Sequence, residues 1–165
     1  MRIFRFVAAI CLGILLATLV LLYAFLSSQG LSARKKPSNV EYAIANFAMS
    51  LSIPAEAKKL NNPLTADTQV LAEARKYYDG HCAVCHADDG AGETALATGL
   101  SPEAPDLHAD HIQKLTDGEI FYVIKNGVRF TGMPGWDLED NDNWSLVALI
   151  RQFAKDGPAS QAQPK

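Results

Sequence analysis

The hydrophobic pattern divides the chain into one long apolar run and several shorter amphipathic segments. Residues 6–26 hold no charge and are rich in Leu, Ile, Val, Ala and Phe. As a helix rising about 1.5 Å per residue, this run spans roughly 30 Å, the thickness of a bilayer's hydrocarbon core. A cleaved signal peptide has a shorter apolar stretch of about 7–15 residues, and the nearest cleavage sites here are poor. We therefore predict a retained transmembrane anchor within 1–36, with a cleaved signal peptide as the alternative.

An amphipathic helix is predicted directly after Pro37. Ser38 and Glu41 form the S-x-x-E pattern of a capping box. One apolar stripe follows at helical spacing, made of Val40, Ile44, Phe47 and Leu51. We interpret 37–66 as this helix and a linker, and we expect the helix to dock on the domain that follows. The alternative is that it lies in the membrane interface.

Three further helices and one long loop are predicted in 67–157. The helices are expected at about 67–79, at 116–126 after a second capping box, and from 142 or 143 to about 155. Gly80 and Gly127 are expected to close the first two. Residues 87–110, rich in Gly, Ala, Asp and Pro, are expected to form a loop. No strand alternation of useful length occurs, so the predicted fold class is all-α, and 158–165 are expected to be a disordered tail.

Charge is divided unevenly along the chain. Residues 1–36 hold five basic residues and no acidic one, whereas 37–165 hold 10 basic and 18 acidic residues, a balance of −8. A nucleic-acid-binding protein needs a clustered basic face, so this class is excluded. Three cysteines are too few for a dense disulfide framework, and the fold therefore needs another source of stability.

The motif that carries chemistry is Cys82-Ala83-Val84-Cys85-His86. Two thiols on one turn can each add to a vinyl group of a haem, and the adjacent imidazole is then placed to ligate the iron. Two other interpretations are open. A thioredoxin-like redox pair would need a βαβ setting, and a zinc site would need His108 or His111 as a further ligand.

A haem needs a second axial ligand or an open coordination position. Met133 is the predicted distal ligand, because it follows Gly132 and precedes Pro134 and Gly135 in a loop between two helices. Glycine lets the backbone approach a ring closely, and proline stiffens the position of the ligand. The alternative is a methionine that fills a gap in the core.

The other candidate residues are assigned lesser roles. His108 and His111 are expected to be solvated rather than to give bis-His ligation, and His81 is expected to be exposed. Trp136 is expected to pack at the haem or to donate to a propionate, and Arg129 to lie near a propionate. Trp144 is expected to pack around the haem or between helices.

The sequence resembles the class I c-type cytochromes, and more narrowly their membrane-anchored bacterial branch, related to the cytochrome subunit of the alternative haem–copper oxidases. The resemblance covers about 67–153. Its motifs lie at 78–86, 89–92, 105–107, 117–121, 124–134 and 144–151. Ala87 departs from the pattern, because relatives often have glycine there.

This resemblance implies a class I cytochrome c helical fold in 67–157 around one covalently bound haem c. Cys82 and Cys85 would carry the thioethers, with His86 as the proximal and Met133 as the distal iron ligand. The Pro105 carbonyl would orient the ring N–H of His86. The chain would then be an electron carrier rather than an enzyme, passing electrons between membrane-bound respiratory or photosynthetic complexes.

The resemblance also has consequences for location and partners. Haem is attached to exported chains outside the cytoplasm, so the haem domain is expected on the periplasmic face of the bacterial cytoplasmic membrane. Membrane lipid would surround 6–26. The acidic balance predicts a redox partner with a basic docking patch. The alternatives are a haem-based small-ligand sensor or peroxidase-like enzyme, in which Met133 detaches, and a cytochrome subunit of one particular dehydrogenase or oxidase.

Overall fold

The computed structural model describes residues 2–29 and 32–156, and all regular secondary structure in these residues is helical. The predicted all-α class is therefore confirmed. Contacts divide the chain into two compact units, Met1–Lys35 and Lys36–Lys165. The tail predicted at 158–165 lies outside the described residues.

The first unit is dominated by one helix, α1 (Arg2–Gln29). Its stretch Arg2–Ser28 has a mean hydropathy of 2.7 over its most apolar window, and none of that window is buried. The Thr18 hydroxyl is satisfied within the helix, since it donates to the Ile14 carbonyl at 2.8 Å. By length and composition this helix is compatible with a single-pass anchor, although a signal sequence near the N-terminus would meet the same criteria.

The second unit opens with α2 (Asn39–Ser52), which begins at the predicted capping box. The backbone N–H of Ser38 donates to Glu41 Oε2 at 2.7 Å, and the Glu41 N–H donates to Ser38 Oγ at 3.3 Å. A one-turn helix that the sequence reading missed, α3 (Ala55–Lys58), follows Pro54.

Helix α4 (Thr68–His81) leads directly into α5 (Ala83–His86). Asp67 caps α4 by accepting from the N–H groups of Gln69 and Val70. The prediction that Gly80 closes this helix was wrong, because the Cys82 N–H still bonds the Tyr78 carbonyl at 2.7 Å. The chain therefore passes from α4 into the Cys82–His86 turn with little interruption.

The remaining elements surround the long loop. The loop contains a 3-10 turn (Ala97–Gly99) and ends at α6 (Asp110–Gln113), neither of which was predicted. Helix α7 (Asp117–Asn126) starts at the Thr116 and Glu119 capping box and ends at Gly127, as the sequence predicts. Helix α8 (Asp140–Asp156) starts two or three residues earlier than predicted.

The core lies where α8 packs against α4 and α7. Its fully buried centre includes Tyr78 and Val147. Trp144 of α8 stacks on Phe121 of α7 with ring centroids 4.2 Å apart, which places this tryptophan between helices. Arg151 ties α8 to the start of α7, because its guanidinium donates to Asp117 and to the carbonyls of Gln113 and Leu115.

Candidate functional site

The Cys82-x-x-Cys85-His86 motif forms a single helical turn. The N–H groups of Cys85 and His86 both bond the Cys82 carbonyl, at 3.1 and 2.9 Å. Both cysteines are free and half-buried. The turn therefore presents two free sulfur atoms and one imidazole within five residues.

The chemistry of these thiols does not suit the two rival interpretations of the motif. Burial, helped by the nearby Cys85, raises the pKa of Cys82 to about 11, so this thiol is protonated at neutral pH. Thioredoxin-like pairs instead depend on a thiol whose pKa is lowered. Among residues 2–29 and 32–156, no group of three or more His, Cys, Asp or Glu side chains gathers as a metal site would require, which disfavours zinc.

The His86 ring is held in one orientation. Its Nδ1 lies 3.3 Å from the Pro105 carbonyl oxygen. Because a carbonyl can only accept, this contact requires the proton on Nδ1 and leaves the Nε2 lone pair available. Burial lowers the pKa of His86, and the Pro105 contact opposes that effect only in part. The geometry therefore favours a neutral imidazole with Nε2 free to ligate a metal.

The Pro105 segment is itself held by the glycine loop that follows α5. The Gly92 N–H donates to the His86 carbonyl at 2.9 Å, and the Leu107 N–H donates to the Gly90 carbonyl at 2.8 Å. Gly92 has φ +74°, and a Cβ there would lie 2.5 Å from the Ala104 carbonyl oxygen. Only glycine allows this close approach, so the Asp89-Gly90-x-Gly92 motif positions the carbonyl that meets His86.

Ala87, the residue directly after His86, adopts an unusual backbone conformation. Its φ is +63°, a value that favours glycine. The hydroxyl of buried Tyr78 donates to the Ala87 carbonyl at 2.8 Å and holds this peptide in place. The sequence departure from glycine at this position therefore carries backbone strain.

Replacing this strained residue, as Ala87→Gly, is expected to stabilise the holoprotein by about 1 kcal/mol. The released strain of roughly 1–3 kcal/mol outweighs the roughly 0.5–1 kcal/mol of added chain entropy. Denaturant unfolding measures the change. Ala95→Gly, an exposed position with ordinary φ, is the matched control and should destabilise instead. Equal destabilisation by both variants would contradict the strain at Ala87.

The Met133 loop closes on itself after α7. The Val128 N–H donates to the Met133 carbonyl at 3.1 Å, and the Trp136 N–H donates to the Ile124 carbonyl at 3.2 Å. Met133 is half-buried and packs against the helical core, as does Cys82. The loop therefore brings its one thioether to the same core that the cysteine motif borders.

Thr131 holds this loop, a role that the sequence reading missed. Its hydroxyl donates to the Val128 carbonyl at 2.8 Å and accepts from the Met133 N–H at 3.1 Å. The hydroxyl thus links the start of the loop to the backbone of Met133. A threonine two residues before the methionine is the only sequence signal of this arrangement.

Thr131→Val keeps the side-chain volume but leaves the Met133 N–H without this acceptor. We expect a loss of about 1 kcal/mol in holding the loop closed. With Met133 as the predicted iron ligand, this loss gives roughly fivefold faster displacement of its thioether by added imidazole. Stopped-flow spectroscopy measures the rate. Thr98→Val, at an exposed threonine in the long loop, should leave it unchanged. Equal displacement rates in Thr131→Val and Thr98→Val would contradict a role of the Thr131 hydroxyl in holding the Met133 loop.

The structure shows which of the three remaining histidines are buried and where Trp136 lies. The prediction that His108 is solvated was wrong: its side chain is 6% exposed, because Nδ1 contacts Asp106 at 2.7 Å and the ring lies against Phe153. His111 and His81 are exposed, as predicted. His81 stacks on Tyr77, and the edge of Trp136 meets both rings.

Arg129 is exposed. Its expected contact with a propionate, and that of Trp136, stay predictions.

Comparison with known proteins gives one family match within the helical domain. A family model described as cytochrome C oxidase, cbb3-type, subunit III matches residues 69–150, just under half of the chain. Residues 69–150 therefore carry a c-type cytochrome domain. A cytochrome c domain is an electron-transfer module that holds haem c, so the predicted fold and the electron-carrier class are confirmed at the level of the family.

One solved structure resembles about half of this chain in fold. It is a chain of the Kuenenia stuttgartiensis reducing HAO-like protein complex Kustc0457/Kustc0458, with 19% sequence identity and a TM-score of 0.51. The match covers 55% of this chain and 46% of that one, so it spans less than half of the neighbour. At this identity the likeness concerns the fold alone. No curated protein matches the chain significantly.

The residues present fit a haem c. Two free thiols lie on one turn, and the adjacent His86 is fixed through Nδ1 with Nε2 left free. The Met133 loop packs closely on the Leu100 side chain, since a Cβ at Gly132 would lie 2.7 Å from it. The individual roles of these residues toward the haem stay predictions.

Proposed function

We propose that the chain carries single electrons on one haem c, bound through thioethers to Cys82 and Cys85 and ligated by His86 and Met133. The observation that carries this proposal is the Cys82–His86 turn, in which two free sulfur atoms adjoin an imidazole fixed on the Pro105 carbonyl. The third cysteine, Cys11, belongs to α1. A single pair of cysteines therefore remains for a single haem.

The protein residues hold the site in one geometry rather than react. Pro105 keeps the proton on His86 Nδ1, so that Nε2 stays available as the donor atom. Thr131 and Val128 fix the backbone of Met133 through three hydrogen bonds, two made by the hydroxyl and one by the Val128 N–H. A site that is preformed in this way needs little rearrangement when its charge changes, which favours rapid outer-sphere transfer.

Haem iron supplies the one-electron couple, and Met/His ligation raises its potential. With Met133 and His86 both as iron ligands, no coordination position would be left for a substrate. This arrangement favours an electron carrier over a small-ligand sensor or a peroxidase-like enzyme.

The apolar helix α1 would hold this carrier in a bacterial cytoplasmic membrane, with the haem domain on the periplasmic face. Attachment through α1 raises the effective concentration of the haem near membrane-bound partners, because diffusion is confined to a linker's reach. These partners would be the electron donor and acceptor complexes of a respiratory or photosynthetic chain.

The test is whether pigment and polypeptide stay together under denaturing conditions. The full-length protein is matured in a host able to attach haem, and it is run on a denaturing gel with a haem stain. We expect a stained band at the protein's mass that survives acidified acetone, and no stain for Cys82→Ala with Cys85→Ala. The matched control Cys11→Ala should stain fully. A colourless or extractable wild type would overturn the proposal.

The charge around the site predicts how the rate of electron transfer with small charged reagents depends on salt. Exposed acidic residues follow the Met133 loop, namely Asp137, Glu139, Asp140 and Asp142. A cationic reagent such as hexaammineruthenium should therefore react more slowly as ionic strength rises, whereas ferricyanide should react faster. Both trends are measured by stopped-flow kinetics at salt concentrations from about 10 mM to about 500 mM, a range of one to two orders of magnitude. The opposite trends would contradict a partner with a basic docking patch.

A further inference from the structure

The apolar stripe of α2 faces away from the protein. Val40, Ile44, Phe47 and Leu51 are 67%, 63%, 66% and 70% exposed. The expected docking of α2 on the following domain is therefore not made by this stripe. Four large apolar side chains on adjoining turns form a patch of the kind that marks an interaction surface on a protein.

The other side of α2 is the one that contacts the domain. Ile53, directly after the helix, is 4% exposed, and Met49 one turn earlier is half-buried. The Tyr42 ring meets the edge of His111 with centroids 6.3 Å apart. At about 100° per residue, Tyr42, Met49 and Ile53 lie on the side of the helix opposite the stripe. The stripe cannot be covered by its own domain without breaking this packing.

The position of α2 in the chain indicates what covers the stripe. Helix α1 ends at Gln29 and α2 begins at Asn39. The intervening segment can extend at most about 36 Å, at roughly 3.3–3.6 Å per residue. A bilayer that holds α1 therefore keeps the start of α2 within that distance of its surface.

Basic residues flank α2 on both sides, as anionic lipid would require. They are Arg34, Lys35 and Lys36 before the helix and Lys59 after it. An exposed apolar helix face with basic residues in the flanking segments is typical of a helix that lies in the plane of the membrane interface.

We propose that α2 lies in the lipid–water interface of the membrane, with its apolar stripe inserted at the boundary of headgroups and acyl chains. This inference rests on the proposed anchoring by α1. It adds a second attachment, directly before the α3 turn, which packs on α7. A Cβ at Gly118 would overlap the Ala57 carbonyl, and Lys58 pairs with Glu119 at 3.8 Å. Insertion of α2 would therefore fix which face of the haem domain is turned to the membrane.

Depth measurements on the full-length holoprotein test this proposal. Cys11→Ser removes the one cysteine outside the haem motif, and nitroxide labels are placed singly through Ile44→Cys, Phe47→Cys, Ala45→Cys, Asn46→Cys and Leu15→Cys. The protein is reconstituted in phosphatidylcholine vesicles with and without phosphatidylglycerol. Electron paramagnetic resonance then compares relaxation by oxygen, which enriches in lipid, with relaxation by a nickel chelate, which stays in water.

We expect the labels at 44 and 47 to lie about 5–10 Å below the headgroups, deeper with phosphatidylglycerol. The labels at 45 and 46, on the flanks away from the stripe, should stay in water, and the label at 15 should lie near the bilayer centre. Labels at 44 and 47 in water, with label 15 in lipid, would overturn the proposal and leave the anchor intact. A label at 15 in water would overturn the anchor as well.

Other occupants of the stripe give distinct results, each of which overturns the proposal. If a second copy of the chain covers the stripe, labels at 47 should show dipolar coupling but no exposure to lipid. This coupling should disappear when each vesicle holds one chain. A partner protein would protect the labels from nickel in native membranes but not in pure lipid.

The predicted effect on orientation gives an independent measurement. In oriented multilayers the haem absorption of the wild type should be dichroic. Ile44→Asn with Phe47→Asn should bring the dichroism toward zero, while its visible spectrum and thermal midpoint stay unchanged because both side chains are exposed. Ala45→Asn is the matched control and should keep the dichroism. Undiminished dichroism in the double variant would overturn the proposal.

Discussion

Replacing Met133 with alanine is expected to leave haem attached to the protein while abolishing the Met–iron charge-transfer band of the oxidised form. The reduction potential should fall by an amount on the order of 0.1 V or more. Axial ligands set haem potentials over a range of roughly 0.8 V, and a thioether favours the reduced state. Absorption spectroscopy and a potentiometric titration of the membrane-solubilised protein measure the two changes.

The local sequence gives no substitute for the lost thioether. Met133 lies between Gly132 and Pro134, and neither neighbour has a side chain that can ligate iron. The variant should therefore acquire an open coordination position and bind carbon monoxide rapidly in the reduced form. Met49→Ala, at a half-buried methionine of α2, is the matched control and should keep the band, the potential and slow binding.

Two outcomes would contradict this prediction in different ways. Persistence of the band in Met133→Ala would show that another residue is the distal ligand. Binding of carbon monoxide by the wild type as fast as by the variant would show a labile ligand, and would favour a small-ligand sensor over an electron carrier.

Local signals in the sequence predict the helix starts well, because their physics is local. The capping boxes at Ser38 and Thr116 each need only a hydroxyl and a glutamate three residues later, and both form the expected reciprocal hydrogen bonds. Gly127 likewise ends α7 at the predicted residue. The four-residue helices α3, α5 and α6 are too short for a periodic pattern to indicate them.

Contacts between distant segments could not be predicted in the same way. The apolar stripe of α2 was recognised, but the pattern does not say which face docks, and the buried contact is made by Ile53. His108 lies among polar residues in sequence, yet Asp106 and the remote Phe153 of α8 bury its ring. In both cases the deciding partner belongs to another element of the fold.

The candidate site lies between these cases. The cysteine motif and Met133 were recognised from residue types and spacing, and the Pro105 carbonyl from the resemblance. The contacts that hold these residues were not predicted. The Thr131 hydrogen bonds can be recognised only once the loop is known to close, and the strain at Ala87 only once its φ is known. The sequence thus indicates which atoms carry the chemistry, and the fold is needed to say what holds them.

Gly127→Ala is expected to destabilise the holoprotein by about 4 kcal/mol and to weaken the Met–iron band. Gly127 has φ +68°, where an alanine costs roughly 1–3 kcal/mol. Its Cβ would overlap the Gly135 backbone and lie 2.5 Å from the Pro134 carbonyl carbon and 2.8 Å from the Met133 oxygen. Relief of such overlap costs roughly another 1–3 kcal/mol, and it must move the segment that carries Met133.

Denaturant unfolding followed separately by far-ultraviolet circular dichroism and by the charge-transfer band measures both effects. Gly99→Ala is the matched control, because a Cβ there meets nothing within 4 Å, and its stability should change by no more than about 0.5 kcal/mol. Equal stability of the two variants, with the band intact in both, would contradict the close packing of Gly127 on the Met133 loop. Lost stability with an intact band would confine the strain to the end of α7, and the position of Met133 would then depend on Thr131 rather than on Gly127.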